Sequence, residues 1–341
     1  MGRMSKKKII ASLVNLAIVL ILYFVISGLI SQGIVNPYYS DIINMVCINI
    51  ILAVSLNMVT GLLGQLVLGH AGFMLVGAYA AALFTLHVNL PFPVAFPIGL
   101  IIGGAVAALF GAIIGIPALR LRGDYLAIIT LGFGEIIRVI ANNLTITNGA
   151  KGLYGIQSLN SRQDLTPMFS YVFFIAVLVI FINFTFGTSR HGRAVIAIRE
   201  DEIAAEASGI NTTYYKLLAF IIAAFIAGVA GGLYAHQIGI IDPSKFDFNR
   251  SVEILVMVVL GGMGSITGSI ISASVLTILP EALRGFADYR MLLYSILLIC
   301  VMLFRPTGLL GRSEFSLTKT ATKIKSILGK LLHRTTTGKV G

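Results

Sequence analysis

Long apolar runs, each near the thickness of a bilayer's hydrocarbon core, follow one another through most of the chain. They occupy residues 9–30, 41–60, 66–87, 93–117, 124–142, 169–187 and 216–240. Next come 252–264 and 266–283, separated by Gly261-Gly262-Met263-Gly264, and finally 289–304. Because roughly 20 apolar residues cross the hydrocarbon as a helix, the pattern predicts an all-α, polytopic membrane bundle of about eight to ten transmembrane helices. Composition agrees: the chain is 57% hydrophobic and only 11% charged, whereas a soluble domain carries about 25% charged residues.

Charge placement gives a topology. Arg3, Lys6, Lys7 and Lys8 precede the first run, and a basic, Thr-rich tail follows residue 312. That first run exceeds the ~7–15-residue core of a signal peptide and lacks a small-residue cleavage pattern, so it is expected to remain as a span. Positive residues favour the cytoplasm, which puts both termini there, together with Arg120, Arg122 and the 188–215 loop. Lys151, Arg162, Lys245, Arg250, Arg284 and Arg290 fall outside, and Arg138 lies within a span. The net charge of +11 thus reflects membrane topology and implies no nucleic-acid partner. Termini on one side require an even number of crossings. Ten result if 252–264 and 266–283 each cross, eight if they form a re-entrant hairpin. Cys47 and Cys300 sit in apolar runs and are read as small buried hydrophobes, with no disulfide or metal site.

The acidic residues are concentrated where the apolar runs pause. "GRAVIAIREDEIAAEASGIN" (192–211) holds Glu200, Asp201, Glu202 and Glu206, out of 14 Asp and Glu in the chain. As a helix from Glu200 to Ser208, it places Ile203 and Ala207 on one face beside Ala204, and Glu202 and Glu206 on another. Carboxylates near its start suit the helix dipole, and Gly209 suits a left-handed stop. Arg190, Arg193 and Arg199 would hold its ends near headgroups. Such a rod fits a groove on another protein; it equally fits a solvated helix lying on the membrane.

Two glycine-rich breaks look alike. Met58-Val59 leads into "GLLGQLVLGHAG" and Met257-Val258 into "GGMGSITGS". Paired interruptions of this kind point to a midplane site in transporters, and irregular backbone at depth must face protein or a water-filled cavity. Asn57, Gly61, Gly64, Gln65 and His70 at the first break, with Gly261, Gly262 and Gly264 at the second, are therefore candidates for a solute path. Asn44 and Asn49 suit hydrogen bonds between helices. Glu135 and Arg138, three apart in a span, can pair on one face and should face the bundle interior, as a structural tie or as part of a path. Gly111-x3-Gly115, Gly228-x3-Gly232 and Gly264-x3-Gly268 predict close helix packing. The chain has no phosphate-cradling Gly-x4-Gly-Lys-Ser/Thr pattern, no H-E-x-x-H and no Cys-x-x-Cys motif. It is expected to be a non-enzyme that binds no cofactor of its own.

"SLNMVTGLLGQLVLGHAGFMLVGAYAAAL" (55–83), "LRLRGDYLAIITLGFGEIIRVIANN" (119–143), "YYKLLAFIIAAFIAGVAGGLYA" (214–235) and "FRPTGLLGR" (304–312), in that order, resemble the LivM-type permeases of branched-chain amino acid ABC importers. The resemblance implies a single permease domain over residues 1–312 and a cytoplasmic tail over 313–341, in the bacterial plasma (inner) membrane. It also implies a second related permease subunit, two cytoplasmic ATPase subunits carrying ATP and Mg, and an extracytoplasmic solute-binding protein. The 188–215 loop then resembles the family's ATPase-coupling loop, with Glu200, Asp201, Glu202, Ala204, Ala205, Glu206 and Gly209 in the coupling helix. The family's Glu-Ala-Ala-x3-Gly signature has its glutamate displaced here to Glu202, and "TNGAKGL" (147–153) departs from the usual Thr-Gly-Gly-x-x-Gly. Urea and short-amide permeases share much of the pattern and are the alternative solutes. From another class, a stand-alone channel or ion-coupled carrier using Glu135 and Arg138 is the competing expectation.

Overall fold

A helix that is apolar on every side cannot present a polar face to water, so it is buried in a bundle or in lipid. Helices of this kind make up most of the computed structural model, which describes residues 6–119, 121, 123–160, 164–286, 289–305 and 308–311. Arg3, Arg120, Arg122, Arg162 and the basic tail 313–341 lie outside the described residues. The helices are α1 (Lys6–Ser31), α2 (Pro37–Asn57), α3 (His70–His87), α4 (Phe92–Ala118), α5 (Asp124–Asn143), α6 (Thr166–Thr188) and α7 (Arg190–Glu200). They continue with α8 (Glu202–Ala207), α9 (Thr212–Ile238), α10 (Phe248–Gly261), α11 (Ile266–Ala282) and α12 (Arg290–Phe304). Among the described residues there is no strand, only a single antiparallel bridge between Leu153 and Ile241.

Seven helical segments are long and apolar enough to cross a bilayer: Pro37–Leu63, His70–His87, Phe92–Ala118, Tyr125–Asn143, Thr166–Thr188, Thr212–Ile238 and Ile266–Gly285. The 26-residue α1 and the 15-residue α12 are further apolar helices outside these seven; α11 is counted among the seven, unlike in the eight-crossing arrangement expected from sequence. The 14 residues of α10 span about 21 Å at 1.5 Å per residue, short of a ~30 Å core. Rather than crossing alone, α10 doubles back on α11: a Cβ on Gly261 would run into the Gly268 backbone, and Ser272 Oγ donates to Met257 O.

The centre of the bundle is α2, buried along almost its whole second half from Cys47 to Asn57. It is flanked by α6, α9, α10 and α11. Contacts fix its direction relative to α11. Asn57 meets Gly264, Asn49 meets Thr277, and Tyr38 meets Glu281, so the two helices run antiparallel. Beside α2, helices α3, α4 and α9 form the most closely packed trio, and glycine is the reason. Gly77 on α3 faces the Gly228 backbone on α9, and Gly103 and Gly104 on α4 complete the junction. Gly111 and Gly115 on α4 meet Ala224, Leu217 and Phe220 of α9, so the small-residue spacings serve packing within the chain. Peripheral α1 leans on α6 through Tyr23, whose ring stacks on Phe169 and whose hydroxyl lies 2.9 Å from Ser170 Oγ.

Cys47 is buried as expected, whereas Cys300, also expected to be buried, is exposed on α12. The difference follows from position: α2 is central and α12 is peripheral.

Candidate functional site

The first glycine break is a change of helix type. At Met58 the α-helix widens into a π-helical turn, Met58–Leu63, which stops at Gly64 in the left-handed conformation (φ 77°). Only glycine takes up that conformation without a Cβ penalty. The N–H groups of Gly64 and Gln65 both turn back to Val59 O, which leaves the Gly61 carbonyl available to another donor. Asn57, fully buried at the start of the turn, aims its Oδ1 at Gly264 N, 2.8 Å away.

The second break, Gly262 to Gly264, uses two positive-φ glycines (109° and 93°). Ser265 then caps α11 by accepting from Gly268 N at 3.1 Å. The two breaks touch: a Cβ on Gly61 would collide with Asn57 Oδ1 and Gly264 N. Two other segments close on the same point. Arg199, from α7, lays its aliphatic stem over Gly64 and donates from Nη1 to Gly61 O. Residues 308–311 supply main-chain donors for the end of α10, Leu309 N to Leu260 O at 2.7 Å and Leu310 N to Gly261 O at 3.3 Å. The last carbonyls of any helix lack partners within it, and here the C-terminal segment provides them.

Paired interruptions predicted a midplane site. Pro37–Leu63 is 27 residues long, about 40 Å of helix, and Gly61 lies in its last turn against α7. The breaks therefore meet at the loop end of the bundle. Arg199, expected to hold the loop near headgroups, is instead bound to the break. Sequence reasoning missed this contact because the acceptor is a main-chain carbonyl 138 residues away.

His70 and Gln65 sit beside the knot. His70 is buried, with Nε2 2.7 Å from Ser55 Oγ, and ties α3 to α2. The neighbouring Ala71 N donates to Ser251 Oγ at 3.1 Å. Gln65 is half-buried. The Glu135–Arg138 pair forms, with Nη2 and Nε 2.6 and 2.8 Å from Glu135 Oε2. It lies on α5 away from the knot, with side chains 27% and 31% exposed, so it is only partly turned to the bundle interior.

A second polar set occupies the opposite half of α2. Asn44 Nδ2 donates to Gln237 Oε1 (3.0 Å), and Gln237 Nε2 to Asp41 (2.8 Å). Asn49 donates to Thr277 (2.8 Å) and accepts from Arg250 Nη2 (2.7 Å), whose Nη1 pairs with Glu253 (2.9 Å). The asparagines thus bond between helices as expected. Arg250, expected on the outer side, is drawn onto α2; its i,i+3 spacing to Glu253 was the available signal.

The acidic loop is two helices, not the single one expected over Glu200–Ser208. Ser189 caps α7, accepting from Gly192 N at 3.1 Å, and Glu200 is its last residue. Asp201 breaks the run and caps α8, its Oδ1 accepting from Ile203 N (2.9 Å) and Ala204 N (3.0 Å). Glu202 pairs with Lys216 at the start of α9, 2.7 Å away, and the lysine side chain is only 3% exposed. Gly209 ends α8 at φ 81°, with Ile210 N closing on Ala205 O. Ala205 is buried against the bundle, while Ile203, Ala204, Glu206 and Ala207 are exposed. The carboxylates of this segment therefore have different duties: one caps, one anchors, and Glu206 stays in solvent.

The family model described as "Branched-chain amino acid transport system / permease component" matches residues 38–302. The chain is 38% identical over 287 residues to the high-affinity branched-chain amino acid transport system permease protein LivM of Salmonella typhimurium, covering 76% of this chain and 65% of that protein. It is 39% identical over 271 residues to LivM of Escherichia coli, covering 71% and 63%. It is also 38% identical over 160 residues to the permease protein LivH of Escherichia coli, covering 46% and 50%. The matches thus span a little under two-thirds of the LivM relatives' own length.

Proposed function

The chain belongs to the branched-chain amino acid transport system permease family, and from that premise we propose that it is the membrane-spanning subunit of an ATP-driven importer carrying leucine, isoleucine and valine into the cytoplasm. Similarity to both LivM and LivH supports pairing with a second, related permease. ATP and Mg bind on two separate ATPase subunits, and an extracytoplasmic binding protein delivers the solute. Residues 1–312 form the permease and 313–341 a cytoplasmic tail; both termini and the 188–215 loop lie on the cytoplasmic side of the plasma membrane.

The observation that carries this reading is the exposed α7–α8 loop, joined by one arginine to a break in the central helix. A partner that grips α8 through Ile203, Ala204 and Ala207 can move the knot formed by Asn57, Gly61, Gly64, Gly261, Gly262 and Gly264. The solute path then opens and closes at its inner end, with Gln65 and His70 beside it. The Glu135–Arg138 pair faces the second permease or the path between the two.

The test is leucine uptake into proteoliposomes holding both permeases and both ATPase subunits, with the binding protein present. ATP-dependent uptake is expected. Ala204→Arg, on the exposed face of α8, should abolish it while both permeases still co-purify in one detergent-stable complex. Gradient-driven uptake by this chain alone, without ATP, would refute the proposal in favour of an ion-coupled carrier. Competition by urea but not by unlabelled isoleucine would overturn the solute assignment.

A further inference from the structure

Four segments far apart in sequence converge at the inner end of α2: the π-helical turn, the α10–α11 break, the 308–311 strap and Arg199. Main-chain groups and the Asn57 side chain tie three of them together. The fourth is one side chain, and it arrives from the loop that Proposed function assigns to the ATPase subunits. We infer that Arg199 is the positioning residue that couples this loop to the inner gate; the inference rests on that functional reading.

Two of Arg199's contacts bear on the knot and are separable. Its stem lies against Gly64, where a Cβ would stand 2.7 Å from Arg199 Cγ. Its guanidinium donates to the Gly61 carbonyl, and Nη1 also lies 3.1 Å from where a Gly264 Cβ would stand. The cation therefore sits where the two breaks meet. A carbonyl released from its helical ladder and taken up by a cation forms a charge-assisted bond, stronger than the neutral bonds around it. Withdrawing α7 removes that donor while the Asn57–Gly264 bond remains. The knot then has one fewer tie, on the side that faces the loop. A two-state element biased at one end by a partner is what coupling between distant sites requires.

The two contacts can be separated by substitution. Arg199→Met keeps an unbranched stem over Gly64 and loses the donor, whereas Arg199→Lys keeps a cationic donor. Each variant is made in the complete transporter, with Cys47 and Cys300 replaced by alanine and a single reporter cysteine at Gln65. Two quantities are read: the rate at which a thiol reagent modifies Gln65→Cys without ATP or solute, and leucine imported per ATP hydrolysed.

Loss of a hydrogen bond to a charged group corresponds to roughly tenfold or more in an equilibrium. Arg199→Met should therefore raise labelling about tenfold and lower the leucine-to-ATP ratio by a similar factor, while Arg199→Lys stays within about threefold of wild type on both. A residue that merely packs would leave the Met variant at the wild-type ratio, and that outcome overturns the inference, as does equal impairment of both variants. If Arg199→Met yields no folded complex, Arg199→Gln, neutral and shorter, is read in the same way with the same expectation. Absence of ATP-driven leucine uptake in wild type would sink the functional proposal, while the labelling rates would still decide whether Arg199 holds the knot.

Discussion

Removing Glu202 should cost more than any other change in the 188–215 loop, because it strands a buried charge. Glu202 Oε1 and Lys216 Nζ are 2.7 Å apart, with side chains 22% and 3% exposed. At an effective dielectric of about 20, the Coulomb attraction at this distance is roughly 6 kcal/mol before desolvation is counted. Breaking a buried pair by deleting one partner typically costs about 3–5 kcal/mol. Glu202 keeps some contact with water, so Glu202→Ala is expected near the lower end, about 3 kcal/mol. Replacing both partners removes the stranded charge, so Glu202→Ala with Lys216→Met should recover most of the loss and leave about 1 kcal/mol or less. The assay is reversible unfolding of the purified chain in mixed detergent micelles, run on both single variants and the double variant. If Glu202→Ala lies within about 0.5 kcal/mol of wild type, or adding Lys216→Met gives no recovery, the pair is not a buried anchor and the reasoning fails.

Asp201→Ala should remove the cap from Ile203 N and Ala204 N and cost about 1 kcal/mol, visible as faster hydrogen exchange confined to α8. Gly77→Ala forces a Cβ into the Gly228 backbone and should destabilise the α3–α9 crossing by about 1–3 kcal/mol; Gly132→Ala, where a Cβ meets nothing within 4 Å, is the matched control and should be near neutral. Hydrogen bonds from Ser244 hold the Asp242 carboxyl below its ordinary range. A depressed folded value means that its stabilising effect is complete above the unfolded pKa of about 3.9 and is lost as pH falls through the lower folded value. Protection of the Ser244 amide, corrected for intrinsic exchange, should therefore hold from neutral pH down to about 4 and fall only below it; in Asp242→Asn it should show no such acid step.

Much of this protein was legible in its residues. The apolar windows place the long helices because each needs only its own sequence and an apolar environment to form. Gly64 and Gly209 mark real helix ends, since a left-handed stop is a local matter of having no Cβ. The acidic segment was visible as a helical element in a loop, and the glycine spacings as packing faces. Within that segment the division of labour was not visible. Asp201 turned out to be a cap because the chain bends there, and Glu202 an anchor because Lys216 comes back beside it.

The knot at the C-terminal end of α2 was decided only by tertiary structure. Both glycine breaks could be seen in the sequence, as could Arg199 and the final Gly-Leu-Leu-Gly, but nothing in the sequence said they would meet. Their contacts are made largely by main-chain groups, Gly61 O, Gly264 N, Leu260 O and Leu309 N. Every residue carries such groups, so no side-chain pattern announces which will pair. Local sequence determines where a helix begins and ends; how helices close on one another determines which exposed carbonyl finds which donor.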